Sequence, residues 1–387
     1  MSDRIYLDHA ATTPVDPRVL EKMLPYFTAD YGNPSSVHHF GQRAEKALEH
    51  ARRDVAAVLN CSPREVIFTS CGSESDNLAI RGAALAERER RGAAHVITTP
   101  IEHAAVIQTM RQLRDHFGFA LTEMPVDRAG CVTPDAVKRA LRPDTALVSV
   151  MYANNEIGTV EPIAEIAALC RERGIPVHTD AVQAGSQLAL DVQQLGVHYL
   201  ALGAHKFYGP KGVGALYVRA GSPLLPAQTG GGQEHGLRAG THNVPYIVGL
   251  AEALKLTAAE REANNARFRA HRERIIETVL QTIPDSVLTG HRTDRLPNHA
   301  SFVFKRVDGN ELLMHLDLAG IAASSGSACK TGDPQPSEVL LALGLDRDWA
   351  LGSLRLTLGR QTTEAHVDRL LAVLPEIVQK LRAAQER

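Results

Sequence analysis

Between about Glu65 and Arg219, short apolar runs rich in β-branched residues alternate with segments whose apolar positions recur every three to four residues. Runs that are apolar on both faces read as strands of a parallel sheet, and the amphipathic segments between them as crossover helices, so the pattern predicts βαβ units. The expected strands include Val66–Thr69, Val96–Thr98, Ala146–Val150, Pro176–Thr179 and Val213–Val218. Ile163, Ile166, Ala167 and Cys170 are spaced i, i+3, i+4, i+7 and predict one of the intervening helices. Beyond a Gly-rich stretch, Thr229 to Gly240, a charged segment from about Val244 to Ile283 reads as one or two helices leaving a large domain. The remainder offers strands at Ala300–Phe304 and Ser353–Leu358 and a closing helix with an apolar face from Val367 to Leu381. The expectation is an α/β large domain over residues 15–258 and a smaller α+β domain over 259–387, joined by the N-terminal segment 1–14.

Composition narrows the class of protein. A chain of 387 residues exceeds one ordinary core, which agrees with two domains. With 44% hydrophobic and 22% charged residues and a net charge of -2, it matches a water-soluble enzyme and shows no basic excess for nucleic acid. No apolar run approaches the roughly 18 residues of a membrane span. The polar start MSDRIYLDHAATTP lacks the apolar core of a signal peptide, so the expected location is the cytoplasm. The five cysteines, Cys61, Cys71, Cys131, Cys170 and Cys329, are scattered and lack CxxC spacing, which indicates neither a disulfide framework nor a zinc ribbon. The 17 histidines include no HExxH, and no catalytic metal is expected.

Four segments carry candidate chemistry. In Ala204-His205-Lys206-Phe207-Tyr208-Gly209-Pro210, a lysine at a strand end beside a Gly/Pro loop is either an activated amine of the kind that forms Schiff bases or a solvated surface lysine. Asp180, in His178-Thr179-Asp180-Ala181-Val182-Gln183, sits at the carboxyl end of an expected buried strand, where open α/β sheets bind ligands. It is either a partner for a protonated pyridine nitrogen or a helix N-cap. The turn Thr69 to Asn77 follows a strand and opens a helix with small and hydroxyl residues, which suits a phosphate, although many ordinary turns look alike. It has neither the Walker pattern nor GxGxxG, which argues against a nucleotide. In Ala323 to Pro334, small residues surround Cys329 beside Lys330, the setting of a low-pKa nucleophilic thiol. Cys61 and Cys71 lie close to loops and remain candidates, whereas Cys131 and Cys170 read as core fillers.

Together these segments resemble the cysteine desulfurases of the NifS/IscS type, pyridoxal-phosphate enzymes of the fold-type I, class V aminotransferase group. The resemblance runs along nearly the whole chain: Tyr6 to Pro14, Gly32 to Ser36, Glu74 to Asn77, Glu102-His103, Asn154 to Gly158, Arg238 to Thr241, Ser324 to Cys329, and Arg355. It implies a mostly parallel, seven-stranded-type sheet in the large domain and a homodimer with shared active sites. It also implies that Lys206 holds pyridoxal 5'-phosphate covalently and then moves protons at the substrate α-carbon. Asp180 would pair with the pyridine nitrogen. His103 would stack on the ring, although on its residues alone it could equally be a helix-start histidine. Asn155 and Gln183 would hold the ring oxygen side; Gly72, Ser73 and His205 would bind the phosphate, with Thr241 reaching the neighbouring subunit's phosphate. Arg355 would clamp the substrate carboxylate with Asn33 assisting, because a guanidinium fork fits two oxygens; otherwise it is a surface arginine.

In this reading Cys329, on a mobile loop of the longer, iron-sulfur-assembly type, takes the sulfur of L-cysteine as a persulfide, leaves L-alanine, and passes the sulfur to protein acceptors in iron-sulfur assembly or tRNA thiolation. Two departures from the family pattern are Gly203, where many relatives carry a side chain, and Lys330-Thr331-Gly332-Asp333 after the cysteine. The alternatives are a selenocysteine lyase or another class V enzyme, and a sulfur-relay scaffold without catalysis.

Overall fold

The structure, a computed structural model, describes residues 4–325 and 335–385. Twelve strands are present among the described residues: β1 (Ile5–Tyr6), β2 (Val66–Thr69), β3 (His95–Thr98), β4 (Ala120–Glu123), β5 (Thr145–Ser149), β6 (Val177–Asp180), β7 (Tyr199–Gly203), β8 (Gly214–Val218), β9 (Ser286–Leu288), β10 (His299–Phe304), β11 (Ile321–Ala322) and β12 (Ser353–Thr357). Seven of them form one sheet in the order β2-β8-β7-β6-β5-β3-β4. Only β8 runs against its neighbours; the other pairings are parallel. The central strands are buried on both faces, which is why they read as continuous apolar runs rather than alternating ones.

The pattern did not single out β4 or β7. β4 is a half-exposed edge strand with little apolar content, and β7, Tyr-Leu-Ala-Leu-Gly, has no β-branched residue to distinguish it from a buried helical turn. A second sheet, β12-β10-β9, is antiparallel, and β1 pairs in parallel with β11, which carries the N-terminus across to the C-terminal part of the chain. Neither β1 nor β11 exceeds two residues, too short to leave a periodic signal.

Two large apolar clusters organise the molecule. One packs Val55, Phe68, Val148, Leu202, Leu250 and Leu254 beneath the seven-stranded sheet. The other packs Ile5 and Leu7 with Phe268, Ile275, Phe302, Leu356, Leu370 and Leu374. A single 39-residue helix, Val244–Thr282, joins them, so the charged segment forms one helix that gives its first half to one core and its second half to the other. The closing helix is Glu364–Gln385.

The Gly-rich stretch is fixed by a buried ion pair. Arg52, on the helix His39–Leu59, donates through both terminal nitrogens to Glu234 at 2.8 Å, and Glu234 also accepts from the Phe68 amide and from His242 Nε2. No described helix is long and apolar enough to cross a membrane.

Candidate active site

The parallel strands all present their carboxyl ends to one edge of the sheet, the position at which open α/β sheets gather ligands. The chain leaving β2 opens the helix Gly72–Arg91, and that leaving β3 reaches His103, the N-cap of the helix Ala104–Phe117. β6 ends at Asp180 itself, and β7 ends at Gly203, just before the turn Ala204–Lys206. From the second sheet, β12 adds Arg355. These elements enclose a cavity of about 260 Å³ lined by Gly72, Ser73, His103, Asn155, Asp180, Gln183, His205, Lys206 and Arg355, together with Ala10, Ala11, Cys71, Asp76, Met151 and Val182.

Within it, the Lys206 amine donates to the carbonyls of Ala10 and, at 2.8 Å, Ala11. Burial, and then the nearby Arg355 guanidinium, pull its pKa down to about 8. Gln183 donates to the same Ala10 carbonyl at 2.9 Å, so the N-terminal segment 10–11 orients two cavity side chains. Asp180 is buried, and one carboxylate oxygen accepts from the Val182 amide at 2.9 Å. Burial pushes its pKa up, while His103 and Lys206 act in the opposite direction. His205 is held neutral by burial and the adjacent Lys206, with its pKa lowered to about 4. The Nδ1 of His103 accepts from the Ala105 amide at 3.1 Å, which places the proton of the neutral ring on Nε2.

Beneath Asp180 lies a polar layer that the sequence motifs contained but did not explain. Asp76 is buried, and desolvation together with the charge of Asp180 raises its pKa above the ordinary carboxyl value. His178 Nε2 lies 3.4 Å from Asp76, and His178 Nδ1 is 2.8 Å from Ser149 Oγ; burial lowers the His178 pKa to about 3.

Arg355 is buried, donating to the Asn155 carbonyl at 3.1 Å and to Asp8 at 2.8 Å, while its Nε has no partner among the described residues. Asp8, 347 residues from Arg355 along the chain, carried no signal beyond its place in the Tyr6 to Pro14 motif.

A group with a cationic ring nitrogen, an amine-reactive carbon and a phosphate fits this arrangement. Asp180 is a buried carboxylate at the cavity floor, Lys206 is a desolvated amine facing it, and the first turn of the helix Gly72–Arg91 offers its amides from Gly72 and Ser73. Asp76, His103 and Asp180 bring one ligand atom each within 4.8 Å of one another, yet the His103 Nδ1 is already engaged with Ala105.

Asn33 and Thr241 are exposed and line no part of this cavity; Asn33 instead accepts from the Ser35 amide at 3.0 Å. Cys329 lies outside the described residues, but both flanks of its segment are anchored beside the cavity. Ser324 pairs with Arg355 through backbone hydrogen bonds, and Ser337 Oγ donates to Glu156. Of the other cysteines, burial pushes Cys61, Cys131 and Cys170 up to about 12, which makes them protonated fillers at neutral pH, and Cys71 lines the cavity as the N-cap of the helix Gly72–Arg91.

The sheet order and this lysine-centred cavity match a known class. The aminotransferase class-V family model covers residues 5–370, and the chain belongs to that family. Within it, the chain is 48% identical over 378 residues to the cysteine desulfurase IscS of Methanosarcina thermophila, an alignment spanning 98% of this chain and 93% of the relative. Among solved structures, a NifS-like protein superposes with a TM-score of 0.91 at 38% identity, covering 97% of this chain and all of the other. SspA in complex with cysteine superposes with a TM-score of 0.81 at 37% identity, covering 92% and 98% of the two chains.

Proposed function

We propose that this protein is a pyridoxal-phosphate-dependent cysteine desulfurase, working in the cytoplasm as a homodimer, that converts L-cysteine to L-alanine and carries the sulfur on Cys329. The observation that carries the reading is the convergence of the Lys206 amine, the Asp180 carboxylate and the Arg355 fork on one cavity. When bound, pyridoxal phosphate supplies an electron sink for negative charge at the substrate α-carbon.

The chain's own residues do the rest. Asp180 would keep the ring nitrogen protonated, with Asp76 buried beside it. Gly72, Ser73 and His205 receive the phosphate, His103 covers the ring face, and Asn155 and Gln183 hold its oxygen side. Lys206 anchors the cofactor and, once displaced by the substrate amine, moves the proton at the α-carbon; its lowered pKa allows a neutral amine near pH 8. Arg355 takes the substrate carboxylate with its fork. Thr241 serves the phosphate site of the other subunit.

The Cys329 thiolate attacks the substrate sulfur. The new S–S bond forms as the Cβ–S bond breaks, the carbon skeleton takes up a proton to become alanine, and Cys329 is left as a persulfide. At ~3.5 Å of reach per residue, the five residues from Ser324 allow Cys329 up to ~17 Å, enough to enter a cavity whose Arg355 pairs with Ser324. Protein acceptors of iron-sulfur assembly or tRNA thiolation then remove the sulfur.

The test is alanine formation from L-cysteine by the purified protein, with its visible absorption recorded, in parent, Lys206→Ala and Cys329→Ala forms. A yellow, active parent with activity lost in both variants is expected. A colourless parent that pyridoxal phosphate cannot activate would overturn the reading.

A further inference from the structure

Arg355 reaches the cavity with its charge already answered from within the chain. NH1 donates to the Asn155 carbonyl at 3.1 Å, and NH2, the nitrogen common to both two-pronged faces of the guanidinium, donates to Asp8 Oδ1 at 2.8 Å. The two side chains are 9% and 19% exposed, so this pair is shielded from water far more than a surface ion pair. Glu156 also feels the Arg355 charge, but its carboxylate accepts from Ser337.

The backbone on both sides of Asp8 is tied down. Thr357, two residues beyond Arg355 on β12, donates its amide to the Leu7 carbonyl at 2.8 Å, and its Oγ1 accepts from the Ala10 amide at 2.9 Å. The Ala10 and Ala11 carbonyls in turn hold Lys206. The side-chain torsions of Asp8 are thus the freedom left for moving its carboxylate. That carboxylate is chemically what a substrate amino acid offers, two oxygens sharing one negative charge. Two carboxylates on one guanidinium repel each other, and the second gains the full use of NH2 only where the first gives way. The charge of Asp8 also reaches Lys206: burial and Arg355 lower the lysine pKa, whereas Asp180 and Asp8 raise it.

We propose that Asp8 is a built-in carboxylate ligand of Arg355 that occupies the fork between turnovers, yields it to the substrate carboxylate, and returns to it as the product leaves. Asp8 keeps a buried guanidinium paired while no substrate is bound, and it weakens the hold on every carboxylate that enters. This role of Asp8 rests on the reading of Arg355 as the residue that takes the substrate carboxylate.

The test compares the pyridoxal-phosphate-loaded parent with Asp8→Asn, which keeps the size and removes the charge, and with Asp8→Glu, which restores the charge. The measurements are kcat and KM for L-cysteine and for cysteamine, and competitive inhibition by propionate, a carboxylate with neither amine nor thiol. In Asp8→Asn the KM for L-cysteine and the inhibition constant of propionate should both fall about three- to tenfold, the effect of removing a repulsion between partly shielded charges. The KM for cysteamine should stay at its parental value, and Asp8→Glu should move the other two back toward theirs. A readout independent of turnover is the uptake of pyridoxal phosphate by cofactor-free protein: its pH midpoint should fall below the parent's value of about 8, because a charge that raises the Lys206 pKa is gone. Should Asp8→Asn fail to fold, Asp8→Ser decides by the same measurements. An active parent whose folded variant binds propionate no more tightly, or takes up the cofactor with an unchanged midpoint, would overturn this inference alone and leave Asp8 as an orienting partner of Arg355. A parent that does not turn over L-cysteine would overturn the reading of the enzyme and the role of Asp8 with it.

Discussion

Replacing Arg355 by lysine keeps a positive charge in the cavity but removes the fork. In the structure the guanidinium already uses NH1 on the Asn155 carbonyl and NH2 on Asp8, and its Nε is unpartnered among the described residues. A substrate carboxylate would therefore take up the Nε donor and share or displace the Asp8 contact, forming two charge-assisted hydrogen bonds. Lysine can supply one of the two at this position, so the loss is about one charge-assisted bond, ~1.5–3 kcal/mol, or roughly 10- to 150-fold in kcat/KM for L-cysteine. Most of it should appear as a raised KM.

Because Arg355 also braces Asn155 and Asp8, a general disturbance of the cavity could lower activity as well. Cysteamine, which is cysteine without its carboxylate, separates the two causes. Sulfide release from cysteamine should start low in the parent and change little in Arg355→Lys, so the parent's preference for L-cysteine should collapse. An equal loss on both substrates, or no loss on L-cysteine, would refute the carboxylate role of Arg355.

Three further outcomes follow from other parts of the structure. The rate at which the cofactor-free protein takes up pyridoxal phosphate should rise with pH through about 8, where Lys206 loses its proton, and then level off; a midpoint near the ordinary lysine value of about 10.5 would contradict the burial argument. Burial raises the Glu234 pKa, but Arg52 and His242 outweigh it and hold the carboxyl at about 2 rather than the ordinary 4.5. That pairing contributes about 3 kcal/mol above pH 4.5 and fades as pH falls toward 2. Glu234→Gln should accordingly melt earlier at pH 7, with a gap from the parent that narrows only below pH 4.5, and a gap unchanged at pH 3 would count against the ion pair. Ser337→Ala, which removes the hydrogen bond to Glu156 at one flank of the Cys329 segment, should lower sulfide release from L-cysteine severalfold while leaving the cofactor absorption unchanged; loss of that absorption instead would place Ser337 in the folding of the cavity.

Much of this site could be read along the chain because its parts are local. Asp180 and Lys206 each follow a buried apolar run, and Gly72 and Ser73 follow another, so strand ends and turn residues announce them without knowledge of the fold. What could not be read is what long-range packing brings together. The Ala10 and Ala11 carbonyls that hold Lys206, and Asp8 against Arg355, come from a segment whose two-residue strand leaves no period. The Asp76–His178 layer depends on the register of a helix against β6. Arg295, buried and held by the Ile157 and Thr289 carbonyls with no carboxylate paired to it among the described residues, looks in sequence like any arginine before a proline-containing turn, because burial without a counter-charge is a property of the fold alone. Asn33 and Thr241, named by resemblance, line no part of this cavity; the resemblance assigns Thr241 to the neighbouring subunit's phosphate, whereas it places Asn33 beside Arg355, where the single chain does not bring it.

The most direct test of sulfur transfer is to expose the pyridoxal-phosphate-loaded protein to L-cysteine without reductant, digest it, and locate the added sulfur by mass spectrometry. One extra sulfur atom on Cys329, formed together with alanine and absent in Lys206→Ala, is the expected result. Sulfur on Cys71, the thiol that lines the cavity, or alanine formed with Cys329 unmodified, would contradict it.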